Sequence, residues 1–387
     1  MPTPSSTSAR VVLNSMVLGC FVVTAAQCTS LSFPNQVAAP GQVVVVPLSF
    51  ASQGQPVSGI QFDVDSDSVL SVRMLPGGQI GGSAKVLYTA SLPGGVARFL
   101  IVGMNQAAIQ DGELVRAVIS VDPSAAPGTA QVRIRNAVAA DPDGNAVLVP
   151  ALAATIQVQP GSVGGAPVTP FAAAGLVNAA SLLPGPVCPG EIVTIFGGVA
   201  LAQASAVQFS GVPSPILYAG PGQVNAIVPF GLDPGANATL EVRTPRGSLG
   251  TVSLPAATVS PALFTMTTTG SGPVAALNED ASVNSYANPA SAGSTIMLFG
   301  TGFGPLLSLP VDGQSVPGPV LTALPVTAAV AGIPATVTYA GAAPGLVAGV
   351  MQINVQLPAG ISSGPAIPVS LTAGGVSTPA GATVSIR

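Results

Sequence analysis

From residue 31 onward the chain is written in short apolar runs, many of them alternating with polar positions. In Ile60-Gln61-Phe62-Asp63-Val64-Asp65 and in Gln131-Val132-Arg133-Ile134-Arg135 every second residue is apolar. That is the period of a strand with one face on a core and the other in water. Proline and glycine punctuate the runs, and no long stretch has helical period. The pattern predicts an all-β chain built from antiparallel, half-buried sheets.

A longer repeat overlies this short one. QVNAIVPFGLDPG at 223–235 and QINVQLPAGISSG at 352–364 share Gln223/Gln352, Asn225/Asn354, Pro229/Pro358, Gly231/Gly360 and Gly235/Gly364. Each copy predicts a strand with Val224 or Ile353 and Ala226 or Val355 on one face, ended by Pro229 or Pro358, which cannot donate to a ladder. Upstream, the stretches at 177–181 and 189–197 echo those at 282–285 and 292–300, and a tyrosine strand precedes each motif, at 216–220 and 337–341. The duplication divides the second part of the chain into repeats at 170–270 and 271–387. Ahead of them lie a first unit at 27–160 and a Gly/Pro-rich linker at 161–169.

Composition narrows the function. The chain has 387 residues, room for two or three domains, and only 6% of them are charged. Glycine (46) and proline (39) are abundant, yet 48% hydrophobic content is enough to fold. Lys85 is the single lysine, and the net charge of −4 leaves no basic stripe for a phosphate backbone, so nucleic acid is not an expected partner.

The first 26 residues read as an export signal, with Arg10 as the one charge, an apolar run at 11–23 and small residues at 24–26. Residues 17–20, ending at Cys20, also allow a lipid-anchor reading, though cleavage there would leave Phe21-Val22-Val23 at the new terminus. No later run is long enough for a membrane helix, so a secreted or cell-surface chain is expected. In an oxidising compartment Cys28 and Cys188 could pair, although spacing does not predict the bridge.

The order of motifs at about 30–160 resembles a cohesin module. A strand follows a Pro-Gly turn at 40–48. Gly59-Ile60-Gln61-Phe62-Asp63-Val64-Asp65 follows, then Arg98-Phe99-Leu100-Ile101-Val102-Gly103, Asp111-Gly112-Glu113-Leu114 and a closing strand at 147–158. The resemblance implies a nine-stranded jelly-roll sandwich whose sheet face binds a calcium-loaded dockerin, and a structural relation to cellulose-binding modules. Val177-Asn178-Ala179-Ala180-Ser181, Gly190-Glu191-Ile192-Val193-Thr194-Ile195-Phe196-Gly197 and Pro221-Gly222-Gln223-Val224-Asn225-Ala226 resemble an uncharacterised C-terminal domain family of secreted acidobacterial proteins. The segment at 296–305 looks like the opening of an immunoglobulin-like IPT/TIG domain. Together these imply a cohesin-like sandwich followed by two immunoglobulin-like sandwiches, with no known activity attached to the repeats.

Candidate chemistry is sparse. With no histidine, Ser-His-Asp and Cys-His triads and most zinc sites are excluded. Asp63, Asp65 and Asp67 would form a carboxylate row if their strand ran far enough; a turn at 66–68 would instead leave them as a solvated outer face. The same segment lacks the Gly and Glu of an EF-hand loop. Asp141-Pro142-Asp143-Gly144-Asn145 offers calcium ligands but also spells a hairpin. Gly270-Ser271-Gly272-Pro273-Val274-Ala275 has the letters of a dinucleotide fingerprint without the helix. There is no tryptophan, and the equivalent Tyr218 and Tyr339 read as core or sandwich-corner residues. The expectation is a secreted, non-enzymatic binding or scaffold protein with no catalytic residue, metal or cofactor, docking a dockerin-like or other extracellular protein. Polysaccharide binding is the alternative.

Overall fold

The computed structural model describes residues 29–103, 105–160 and 169–387. The expected signal at 1–26, Cys20, the Cys28 end of the proposed disulfide and nearly all of the linker lie outside the described residues. Cys188 is a buried thiol. No helix among the described residues is long and apolar enough to cross a membrane.

The first unit contains β1 (Ser30–Ser32), β2 (Gln36–Ala38), β3 (Val43–Ala51), β4 (Gly59–Ser66), β5 (Leu70–Pro76), β6 (Val86–Ser91), β7 (Ala97–Val102), β8 (Gly112–Val121), β9 (Gly128–Ala140), β10 (Ala146–Leu148) and β11 (Leu152–Val158). They form two sheets, β1-β3-β8-β5 and β2-β11-β9-β4-β7-β6, with β10 hairpinned onto β9. Pairing is antiparallel except between β2 and β11. The alternation seen in the sequence sends Ile60, Phe62, Ile101, Val132 and Ile134 into the space between the sheets, all of them 2% exposed or less. Phe62 stacks there on Phe99, with ring centroids 5.6 Å apart.

Between β5 and β6 the chain makes a short helix, α1 (Gly78–Gly82), and returns through Lys85. That lysine is completely buried and has no carboxylate partner among the described residues; its Nζ donates to the carbonyl and the side-chain oxygen of Asn105, each at 2.9 Å. Burial holds its pKa below the usual lysine value.

The second unit is also a two-sheet sandwich. Its strands are β12 (Phe171–Asn178), β13 (Ile192–Gly197), β14 (Ala206–Phe209), β15 (Val212–Ser214), β16 (Ile216–Gly220), β17 (Gln223–Ile227), β18 (Ala238–Thr244) and β19 (Gly247–Leu254), paired as β12-β13-β17-β16 and β15-β14-β18-β19. In the third unit the same succession is one continuous path, because strand Ile333–Ala342 pairs with Val326–Val330 through its first residues and with Met351–Gln356 through its last. The difference is local: Pro215 separates β15 from β16, and Thr336 stands at the corresponding place in the third unit, where the ladder runs through. The third unit begins before residue 271, since Ala262–Leu263 pairs with its strand Thr295–Thr301.

The duplicated motif has the same internal geometry twice. Val224, Ala226, Ile353 and Val355 are all fully buried on one face. On the other face Gln223 donates to Asn225 and Gln352 to Asn354, both at 2.9 Å. The register shifts just before Tyr218 and just before Tyr339 are also equivalent. Neither tyrosine is in the core, however. Tyr218 is half exposed on the edge strand β16 and curls over Gly220, while Tyr339 turns its hydroxyl back to the carbonyl of Ala342 at 2.6 Å, a corner contact.

The three units pack on one another. Val43, Leu75 and Val118, on the outer face of the smaller sheet of the first unit, form an apolar cluster with Val177 and Phe196 of the second. Arg116 crosses the same seam to donate to the carbonyl of Leu182 at 2.6 Å. Ser271 of the third unit donates to the carbonyl of Lys85 at 2.7 Å.

The seam between the repeats centres on Glu191, which is 1% exposed and forms no ion pair among the described residues. Its Oε1 accepts from Asn178 at 2.8 Å and its Oε2 from the backbone N–H of Cys188 at 2.9 Å; Asn178 also donates to the carbonyl of Ser260. Gly302, at φ +79, passes so close to Ser260 that a Cβ would lie 2.0 Å from that carbonyl oxygen.

Burial pushes the Glu191 carboxyl up to about 8 from an ordinary 4.5. The folded chain therefore holds a proton that the unfolded chain has released between those values. Stability from this group is full below the lower one and declines as pH rises to the upper one, by up to about 1.4 kcal/mol per pH unit. Replacing Glu191 with Gln removes this slope. The melting temperature of Glu191→Gln relative to the parent is expected to climb between about pH 5 and about pH 8, superimposed on a constant offset from the altered hydrogen bonds.

Candidate functional site

Of the two outer faces of the first unit, that of the smaller sheet is covered by the second unit. The outer face of β6-β7-β4-β9-β10 is free. Cross-strand register places its side chains in rows, since directly opposed residues in antiparallel strands share a face. Tyr88 opposes Leu100, Leu100 opposes Gln61, Gln61 opposes Val138, and Val138 opposes Leu148. The four apolar members are 48%, 36%, 53% and 71% exposed in chain order, an uninterrupted surface row with one amide at its centre.

The next rows are ionic. Asp63 accepts from Arg98 Nε and Nη2 at 2.7 and 2.8 Å in a bidentate pair and from the Asn136 amide at 2.9 Å. Asp65 pairs with Arg133 at 3.1 Å and Arg135 at 3.2 Å; Asp67 pairs with Arg133 at 2.6 Å. A β-bulge makes the Asn136 contact: the register between β4 and β9 shifts between Gln61 and Asp63, with Asn136 at φ 50.

β4 ends at Ser66 and a turn follows, so Asp67 leaves the strand, yet arginine keeps it in the same cluster. The hydrogen bond from Arg98 holds the Asp63 carboxyl below its usual range, and that from Arg133 does the same for Asp67. Carboxylates held ionised, with their oxygens occupied by guanidinium, are poor general acids. The row serves to neutralise a sheet face.

The other candidates resolve into structure. Asp141 Oδ1 accepts from the backbone N–H groups of Asp143 and Asn145 at 2.9 and 2.8 Å, closing the hairpin between β9 and β10. No group of three potential metal ligands occurs among the described residues. Gly272 and Pro273 lie in a short strand parallel to Ala382–Ile386, with no phosphate-binding turn.

The apolar row was not among the sequence candidates. Its signal was the absence of alternation: Phe99-Leu100-Ile101 is apolar at three consecutive positions, which puts one apolar side chain on the water face, and Ala137-Val138-Ala139 does the same.

Compared with known families, the chain matches the Cohesin domain model over residues 29–159. Those residues are a cohesin domain. Among solved structures, the cohesin domain is similar to the sixth cohesin of scaffoldin B from Acetivibrio cellulolyticus, crystallised with a dockerin, at 20% identity over 34% of this chain and 99% of that one, with a TM-score of 0.31. A type I cohesin–dockerin complex from Clostridium thermocellum gives 18% identity, the same coverages and a TM-score of 0.31. A non-cellulosomal cohesin from the archaeon Archaeoglobus fulgidus gives 18% identity over 34% and 91%, with a TM-score of 0.29. No curated protein matches the chain.

The Asp63–Arg98–Asn136 cluster of the cohesin domain has a pH signature. A depressed folded-state pKa contributes stability that is present above the unfolded value, 3.8 for Asp63, and is lost as pH falls through the folded one. Asp63→Asn is therefore expected to cost about 1–3 kcal/mol near neutral pH. The cost should shrink once the parent carboxylate is protonated, and urea midpoints measured at about pH 7 and about pH 3 would show the two curves converging.

Proposed function

We propose that this chain is a secreted, non-catalytic binding protein. Its cohesin domain docks a dockerin-like extracellular protein through the free outer face of β6-β7-β4-β9-β10, and the two C-terminal units, read as immunoglobulin-like, act as spacer or surface anchor. The observation that carries this reading is the contrast between the two faces of one sandwich. One is covered by the chain itself, and the other carries Tyr88, Leu100, Val138 and Leu148 in an exposed row flanked by fully paired charges. An apolar centre with a polar border is the anatomy of a protein interface. For polysaccharide binding an exposed row of coplanar aromatics would be needed, and Tyr88 is the one aromatic side chain in the row.

The test uses residues 29–387 immobilised and titrated with a panel of purified dockerins, with and without a calcium chelator, because dockerins fold around calcium. Saturable capture abolished by chelation is expected. Val138→Asp combined with Leu100→Asp should weaken it by at least about tenfold while leaving the melting temperature within a few degrees of the parent. Capture indifferent to both chelator and substitutions would exclude this face as the docking surface.

A further inference from the structure

A second surface, which meets the apolar row at Tyr88, lies where the three units come together. A cleft of about 850 Å³ opens there, within the range of ligand-binding clefts. The first unit contributes Arg73 and Leu87, Tyr88 and Thr89 of the edge strand β6, the second Phe196 and Gln223, and the third Phe264. Two features of this cleft point to a ligand. The first is β6, the terminal strand of its sheet, which pairs with β7 alone. Its first two residues are covered, whereas residues 88–91 are exposed and carry neither a charge nor a proline. Natural edge strands are commonly protected by one or the other, since an open edge is a template for a further strand.

The second feature is Arg73. It is exposed, its guanidinium lies 5.0 Å from the Phe196 ring centroid and within 3.5 Å of Gln223 Oε1, and it forms no ion pair among the described residues. No aspartate or glutamate lines the cleft. A cation in an otherwise uncharged, largely apolar cleft favours an occupant with one carboxylate, and an open strand edge favours an extended backbone.

We propose that the cleft receives an extended peptide segment, which adds as a strand to the free edge of β6 at residues 88–91 and sets an acidic side chain against Arg73. Main-chain hydrogen bonds to the edge supply affinity, and the alternate side chains of the added strand, directed toward Phe196 and Phe264, supply selectivity. The site shares Tyr88 with the docking row and uses none of the row's other members.

The probe is a synthetic peptide, acetyl-Thr-Val-Glu-Val-Thr-Val-amide, compared with an analogue carrying Gln for Glu. Binding to residues 29–387 is read by fluorescence anisotropy and by hydrogen exchange. The Glu peptide is expected to slow exchange at residues 88–91. Arg73→Gln should weaken it about fivefold while leaving the Gln analogue unchanged, a pairwise effect that a general loosening of the cleft would not produce.

Successive residues of a strand direct their N–H groups to opposite sides, so one of Thr89→Pro and Ala90→Pro removes a donor to the free edge and the other breaks the ladder to β7. The variant that keeps the parental melting temperature should lose peptide binding. Val138→Asp, on the docking row, should not affect it, which separates this site from the reading above. No protection of residues 88–91 at millimolar peptide, equal weakening of both peptides by Arg73→Gln, or undiminished binding by the thermally intact proline variant would each overturn the proposal.

Discussion

A sheet has two faces, and a chain with 6% charged residues cannot wet all of its outer ones with ionic side chains. That shortage governs how the units are assembled. The smaller sheet of the cohesin domain presents Val43, Leu75 and Val118 outward and is tolerable because Val177 and Phe196 of the next unit cover it. Charged side chains of both signs gather on the outer face of the larger sheet, where Asp63, Asp65 and Asp67 are matched by Arg98, Arg133 and Arg135. Asp63 is buried, but the pairs of Asp65 and Asp67 are partly exposed, and such pairs contribute little stability each. Their larger effect is to leave that face hydrated while the apolar row beside them remains bare.

Much of this architecture was legible in the amino-acid order. The alternation in Ile60-Gln61-Phe62 and Val132-Arg133-Ile134 gave the inward set correctly, because a half-buried strand is the case in which burial and period coincide. The duplication was legible for a different reason: Gln223 and Asn225, like Gln352 and Asn354, stand two residues apart on one strand face and bond to each other there, so the same letters recur at the same spacing. The placement of Tyr218 was not legible, since its half-exposed position follows from β16 being an edge strand, and edge status is a property of the assembled sheet. For the same reason the exposed apolar row was not legible. Its members come from five strands, and only their register reveals that they adjoin.

The two repeats also show what a duplication permits. Glu191 stands where the second repeat has Ser294, and that acid is buried in the seam to the following unit, while Ser294 turns back onto the carbonyl of Ser291 at 2.7 Å. One copy uses the position as a joint and the other closes a local turn with it. Pro215 and Thr336 mark a parallel divergence in how two sheets are connected: the ladder is interrupted at the residue that lacks a backbone donor and runs through at the one that has it.

Lys85, the single lysine, is enclosed between α1 and β6 and tied to Asn105. The described surface therefore offers no primary amine. Reagents that acylate or cross-link amines find nothing to react with there until the first unit opens, and an enzyme that cleaves after lysine meets the same barrier. The residue that ordinarily makes a protein surface sticky to chemistry is here an internal bolt, and its labelling would report the opening of one sandwich out of three.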